Sequence, residues 1–426
     1  GNGVLTDAGE QVATNTTIIP IGTATLTAQF QADDFGTGIS AQNNGGYGLN
    51  FVASNITPPG GGIVGNLLMT GGSTLLGNGT GTVNVDMNGA DQAVIGLSGT
   101  FNGSTTGDGI HIDLQNITGL ALVSLQGPGE VRNNAGDGID VSMTNVAQGG
   151  VFIGGFTDVS DNGSGNNALI GQDGIKVTMS NVGLGAVKID AQTTLLPANI
   201  MNVSNNTGNG VNVIINNGSV IDNVGFDAVL VAQQVEVIDY VAPEQPCPTP
   251  LPNPLLNIVS TNVSTALGFS FLPGFAIQNL NVDNNGTATA GDLTGSGIAL
   301  TVDSLAQIVG TPSINNNTIT NTGLGSATTT HDGILVNILG GADVTGVDLV
   351  TNDVQSNNGN GIEVRVNGAP TLTSLNITDN TVSNQTGTLG ATGNGIVLGL
   401  TDAAVLATVT VEGNDVEGNS ADCFQI

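Results

Sequence analysis

The chain has no Trp, and aromatic residues fill only 3% of its 426 positions. With two Tyr and 11 Phe, aromatic anchors cannot dominate the core, and stacking platforms for sugars are scarce. Lys and Arg together number four against 34 Asp and Glu, a formal net charge of −30. Four cations cannot form the basic patch that phosphate neutralisation needs, so a nucleic-acid binder of that kind is excluded. Two His and two Cys in separate contexts do not make a His/Cys zinc site. No apolar run approaches the ~18 residues that would span a bilayer, and no basic-then-apolar leader opens the sequence. No membrane span is expected.

Glycine (66 residues), Asn and small branched apolar side chains are what the sequence has in plenty. The apolar share, 39%, is enough for a core and disfavours disorder. One phrase recurs: an Asx-rich turn, then Gly-[Asp/Asn/Ser/Thr]-Gly, then an alternating apolar strand such as Ile-x-Val-x-Leu. Copies run Gly107-Asp108-Gly109-Ile110, Gly136-Asp137-Gly138-Ile139, Gln172-Asp173-Gly174-Ile175 and Gly208-Asn209-Gly210-Val211. They continue at Gly295-Ser296-Gly297-Ile298, His331-Asp332-Gly333-Ile334, Gly359-Asn360-Gly361-Ile362 and Gly393-Asn394-Gly395-Ile396, with weaker copies near Gly48 and Gly81. The step is about 28 to 36 residues, outside an irregular middle. Such a variable period predicts coils whose strands are fixed and whose loops are free. Second strand-like phrases lie between, as in Leu375 to Val382, Ile314 to Ile319 and Val409 to Val416.

A strand with one apolar face cannot bury it alone. Stacked coils solve this: each strand pairs in parallel with its copies, and Asn at equivalent turns forms side-chain ladders. Glycine at the turn is expected to serve by accepting positive φ. The expected fold is therefore all-β, one parallel solenoid of about twelve coils, roughly 55 to 60 Å long at ~4.8 Å per coil. It covers residues 41–426, preceded by an N-terminal strand segment at 1–40. Pro243, Pro246, Pro248, Pro250, Pro252 and Pro254 cannot donate ladder bonds, so residues 240–256 read as a proline-rich loop ejected from the rod.

The Asn-Asn-x-Gly-[Asp/Asn]-Gly-Ile-x-[Val/Ile] phrases resemble right-handed parallel β-helix proteins of the pectate lyase-like superfamily. That resemblance implies a right-handed winding and is nearly silent about activity, since the superfamily holds lyases, hydrolases, tailspikes, adhesins and structural proteins. Its pectate lyases use carboxylate-bound calcium and an Arg or Lys base, for which only Arg132, Lys176, Lys188 and Arg365 are available. Polygalacturonase-like signatures reduce to Asp33-Asp34, with His111 and His331 in the wrong contexts and both expected at exposed turn or strand positions. A charge of −30 also repels a polyuronate. No catalytic residue is assigned, and no cofactor is required.

Asp108, Asp137 and Asp173 share one phase in successive coils, about 5 Å apart. Calcium would relieve their repulsion with hard oxygen ligands; a hydrated, salt-screened row would need no ion. On the outward strand position His111, Asp140, Lys176 and Asn212 follow one another, a cross-strand pairing pattern. Asn-x-[Ser/Thr] sequons, at Asn55, Asn116, Asn202, Asn262, Asn316 and Asn376 among others, are candidates for glycosylation in a secreted protein. Cys247 and Cys423 are candidates for a disulfide within one chain or between two.

At the C-terminus Cys423 takes the glycine phase position, with Phe424 and Ile426 as the inward pair. A stack stopping there leaves an apolar cross-section and open strand edges. The expected partner is a second copy, whose Val4, Leu5, Ile18, Ile19 and Ile21 pair onto that end; repetition would build a filament or array. A fragment of a longer β-helix would leave the same end. The leading expectation is a non-catalytic extracellular or cell-surface structural protein of a filament, sheath or surface layer. An adhesin or tailspike-like protein binding surface glycans is the alternative, and a polysaccharide lyase or hydrolase the third.

Overall fold

The computed structural model describes residues 15–18, 29–32, 40–54, 64–163, 173–192, 200–222, 227–233, 264–270, 274–286, 295–323, 331–387, 393–402 and 404–426. Among them there is no helix. Nearly every strand pairs in parallel with the strand one repeat earlier and one repeat later.

The first row follows the Gly-x-Gly phrases. It runs Asn15–Ile18, Tyr47–Ser54, Gly81–Asn88, then the opening halves of Ile110–Gln126, Ile139–Gly154 and Ile175–Asp190, then Val211–Asn216. Ile298–Val302, Ile334–Leu339, Ile362–Asn367, Ile396–Thr401 and Phe424–Gln425 complete it. Register keeps the phrases in phase: Ile110, Ile139, Ile175, Val211, Ile298, Ile334, Ile362 and Ile396 are successive partners. The irregular middle is thus one step, since Val211 pairs directly with Ile298.

The second row begins, among the described residues, at Gln29–Ala32 and Ser40–Gln42, which pair with Val64–Leu76, continues through Gln92–Asn102 and the closing halves of the three long strands, and ends at Asp343–Val350, Thr371–Thr378 and Val405–Glu412. A third row is built from three- and four-residue strands, from Glu130–Arg132 to Asp415–Glu417. Inward side chains stack between the rows. Ile110, Ile112 and Leu114 lie beside Ile139, Val141 and Met143, and these beside Ile175, Val177 and Met179, all fully buried. Val131, Val159, Val203, Val282, Ile319, Val354 and Val382 form the matching buried column of the third row. Each residue in such a column covers its neighbour's apolar surface, which is why small branched side chains suffice without Trp.

The turn chemistry follows expectation except at the phase glycines. Among the described residues 15 glycines take positive φ and 12 Asn share that conformation, including Asn116, Asn133, Asn145, Asn181, Asn205 and Asn316, but Gly109, Gly138 and Gly174 do not. The phase glycines are required by close approach instead. A Cβ on Gly138 would stand 2.5 Å from the Gly174 carbonyl oxygen and 2.7 Å from Asn162 Nδ2. Asn accepts left-handed φ because its short polar side chain bonds locally.

The loop at 240–256 lies outside the described residues. The strands on either side of it, Asp227–Gln233 and Ser264–Ser270, pair antiparallel, the one such pairing among the described strands. Val4, Leu5, Ile19 and Ile21 also lie outside; Ile18 ends the strand that pairs with Tyr47–Ser54. Among the described residues no helix is long and apolar enough to cross a membrane.

Candidate functional site

The chemistry concentrates along the edge where the first-row strands begin. The turn residue before each phase glycine there accepts a backbone N–H from its counterpart one repeat later. Asp137 donates to Asp108 Oδ1 (2.7 Å), Asp173 to Asp137 Oδ1 (2.6 Å), Asn209 to Asp173 Oδ1 (2.7 Å) and Ser296 to Asn209 Oδ1 (2.9 Å). The pattern resumes as Asn360 to Asp332, Asn394 to Asn360 and Asp422 to Asn394. The acidic row is therefore a hydrogen-bonded ladder in which Asp and Asn play one role. Asp173 Oδ2 also accepts Asn212 Nδ2 at 2.8 Å, and Asp137 Oδ2 faces Lys176 Nζ at 3.6 Å. Both oxygens of Asp137 and of Asp173 thus face protein donors.

Burial and mutual repulsion with Asp173 push the Asp137 carboxyl well above the usual range; burial raises Asp173 too, although the Asn212 and Asn209 donors oppose it. One position outward along the strands, register brings Asn84, His111, Asp140, Lys176 and Asn212 into a column. His111 Nδ1 lies 3.3 Å from Asp108 Oδ2 and 3.4 Å from Asp140 Oδ2. Lys176 Nζ is 3.6 Å from Asp140 Oδ1. Asp140 thus sits between two cationic groups, as its place in the sequence predicts. Burial pushes its carboxyl up, but His111 and Lys176 outweigh that and hold it below the usual range. The neighbouring carboxylates of Asp108 and then Asp140, which favour the protonated imidazole, raise His111 to about 10. Asp108 and His111 also line a pocket of about 330 Å³ with Tyr47, Thr80, Asn84, Thr106 and Gly107.

A second constellation occupies the equivalent edge farther on. Burial, and then the neighbouring Glu363, push Asp332 up to about 8, while Arg365 Nε bonds Glu363 Oε1 and Asn360 Nδ2 bonds its Oε2 at 2.6 Å. Burial raises Glu363, but the Arg365 bond outweighs it and leaves that carboxyl low. Asp332 carries the shared proton and Glu363 the charge. His331, expected at an exposed turn, is buried, because the glycines at 295, 323 and 359 leave room for it.

All four Lys and Arg side chains are tied to carboxylates. Lys188 pairs with Asp190 at 3.0 Å, Arg132 with Asp158 and Asp161 at 3.3 and 3.1 Å, and Arg365 and Lys176 as above. Of the sequon residues, Asn116 donates its amide to Asn88, Asn316 to Asn279 and Asn376 to Asp348, while Asn202 accepts from Asn281. In three of them, then, the nitrogen that a sugar would substitute is already a ladder donor. Asn55, Asn262 and Cys247 lie outside the described residues. Cys423 is exposed and holds the glycine phase position, its carbonyl accepting the Ile396 N–H at 3.0 Å.

The last described strands differ from those with which they pair. Leu375 and Ile377 are fully buried, but their register partners Val409 and Val411 are about 40% exposed; Phe424 is 40% and Ile426 82% exposed. Leu400, partner of the buried Val366, is exposed in the same way. No family model, curated protein or solved structure matches the chain.

Proposed function

We propose that the chain is a non-catalytic extracellular structural protein, a right-handed parallel β-helix that assembles head to tail with copies of itself into a filament, sheath or surface layer. The observation that carries this reading is the exposed apolar face at the last described strands. Val409, Val411 and Phe424 are in register with buried columns yet about 40% exposed, and Ile426 is 82% exposed.

A second copy suits that face because parallel stacking is directional. Among the described residues the first row runs from Asn15–Ile18 to Phe424–Gln425, and the same parallel pairing would let the first of these strands in one copy add to the last in another. Cys423 constrains the junction. A Cβ on Gly395 would stand 2.6 Å from the Cys423 carbonyl, so a further winding in unchanged register would meet the Cys423 side chain. The incoming strand is therefore seated on Phe424 and on Val405–Glu412, clear of Cys423. Each of the four basic side chains is paired with a carboxylate, which leaves no free cationic patch for a polyanion.

Sedimentation velocity over a range of concentrations tests this. The full chain should form concentration-dependent oligomers, and both Val409→Asp/Val411→Asp and removal of residues 1–30 should return it to monomer with its β-sheet circular dichroism intact. A full chain that stays monomeric, or variants that assemble unchanged, would overturn the reading.

A further inference from the structure

We infer that Asp108, His111 and Asp140 form a binding site for a divalent transition-metal ion of the zinc class, with an open coordination position facing the pocket beside Tyr47. One ligand atom from each of the three residues lies within 4.8 Å of the others. His111 Nδ1 is buried and makes no aligned hydrogen bond, although two carboxylate oxygens stand 3.3 and 3.4 Å away. One N–H cannot point at both. An ion can sit between all three: bonds of about 2.0–2.1 Å at tetrahedral angles separate ligand atoms by roughly 3.3 Å.

Asp108 Oδ1 accepts the Asp137 N–H at 2.7 Å, and Asp140 Oδ1 faces the Lys176 ammonium as an ion pair at 3.6 Å without a hydrogen bond; each Oδ2 is turned toward the imidazole. Such outer partners orient ligands before the metal arrives. An imidazole with two carboxylates favours zinc, cobalt or copper over calcium, whose sites are built from six to eight oxygens. The pocket lined by Asn84, Thr80, Thr106 and Tyr47 supplies the opening for a fourth ligand, water or a small anion. This site is independent of the assembly face, which belongs to the other end of the rows.

The test is titration of the full-length protein with Zn²⁺, Co²⁺ and Ca²⁺ separately, following heat release, the visible Co²⁺ spectrum and the imidazole ¹⁵N resonances. One equivalent of Zn²⁺ should bind and shift His111 Nδ1, and Co²⁺ should give the intense bands of a four-coordinate ion. Asp108→Asn keeps the ladder acceptor and removes the charged ligand; it and His111→Ala should each weaken binding at least about tenfold. Asp113→Asn, on the same strand but outside the trio, should bind as the parent does. Absence of Zn²⁺ binding by the folded parent would overturn the inference. So would equal affinity in Asp108→Asn and His111→Ala, or selective uptake of Ca²⁺ alone, which would return the site to the Asp108, Asp137 and Asp173 row.

Discussion

A single buried amide, Asn162, ties three windings together. Its Oδ1 accepts the Asn134 N–H (3.2 Å) and Nδ2 (2.9 Å), and its Nδ2 donates to Val131 O (3.1 Å) and Asn206 Oδ1 (2.9 Å). Asn162→Ala strands these groups away from water, at an expected cost of about 2–3 kcal/mol in denaturant unfolding. A loss under about 0.5 kcal/mol would mean the ladder contributes little. The acidic positions set a pH dependence. Asp332 keeps its proton in the fold to about pH 8 but loses it near 3.8 when unfolded, so its contribution is complete below 3.8 and disappears as pH rises to 8. His111 acts in the same sense between 6.5 and about 10 in the metal-free protein. Above pH 5 the depressed Asp140 and Glu363 are ionised in both states and add no slope. Tm should therefore fall steadily from pH 5 to 9, and Asp332→Asn should flatten the part below 8; an unchanged slope in that variant would contradict the assignment. The Asn ladders were legible in the sequence because their turns repeat in phase. The close approach that the phase glycines serve was not, since it depends on the distance between paired strands, which no local pattern encodes. The His111 trio was not legible for a related reason: the carboxylates beside His111, Asp108 and Asp140, come from two different repeats and meet it only through strand pairing.

At the scale of the strand, the phase glycine decides how closely rows stack. Gly138→Ala places a methyl 2.5 Å from the Gly174 carbonyl oxygen and 3.0 Å from Val159 Cγ1, and should destabilise by about 1–3 kcal/mol through overpacking. Gly218, with φ of +75° and nothing within 4 Å of an added Cβ, should accept Asn at little cost. Equal losses at the two positions, measured by thermal unfolding, would show that close approach is not what the phase glycines serve. The first row could be read from the sequence because six-residue alternation anchored by Gly-x-Gly leaves one register. The third row could not: strands such as Asp158–Ser160 have one inward residue each, too few for a period to appear. Pairing of Val211 with Ile298 was likewise invisible, because it skips a long excursion and is fixed only by the windings on either side.

For the molecule as a whole, a charge of −30 with four cations means that folding gathers carboxylates that repel one another. Raising NaCl from low ionic strength should increase Tm, as the Debye length falls to about 10 Å at 0.1 M; a Tm indifferent to salt would show that the charges are already compensated, by bound cations for instance. Assembly depends on the same stacking that builds each chain, continued across a junction at Val409, Val411 and Phe424. Its most direct measurement is diffraction from, or direct imaging of, the oriented assembled protein. The rows predict a strong axial spacing near 4.8 Å together with a subunit repeat of roughly 55–60 Å along the same axis. Separate particles with covered ends, or strands lying parallel to the assembly axis, would contradict it.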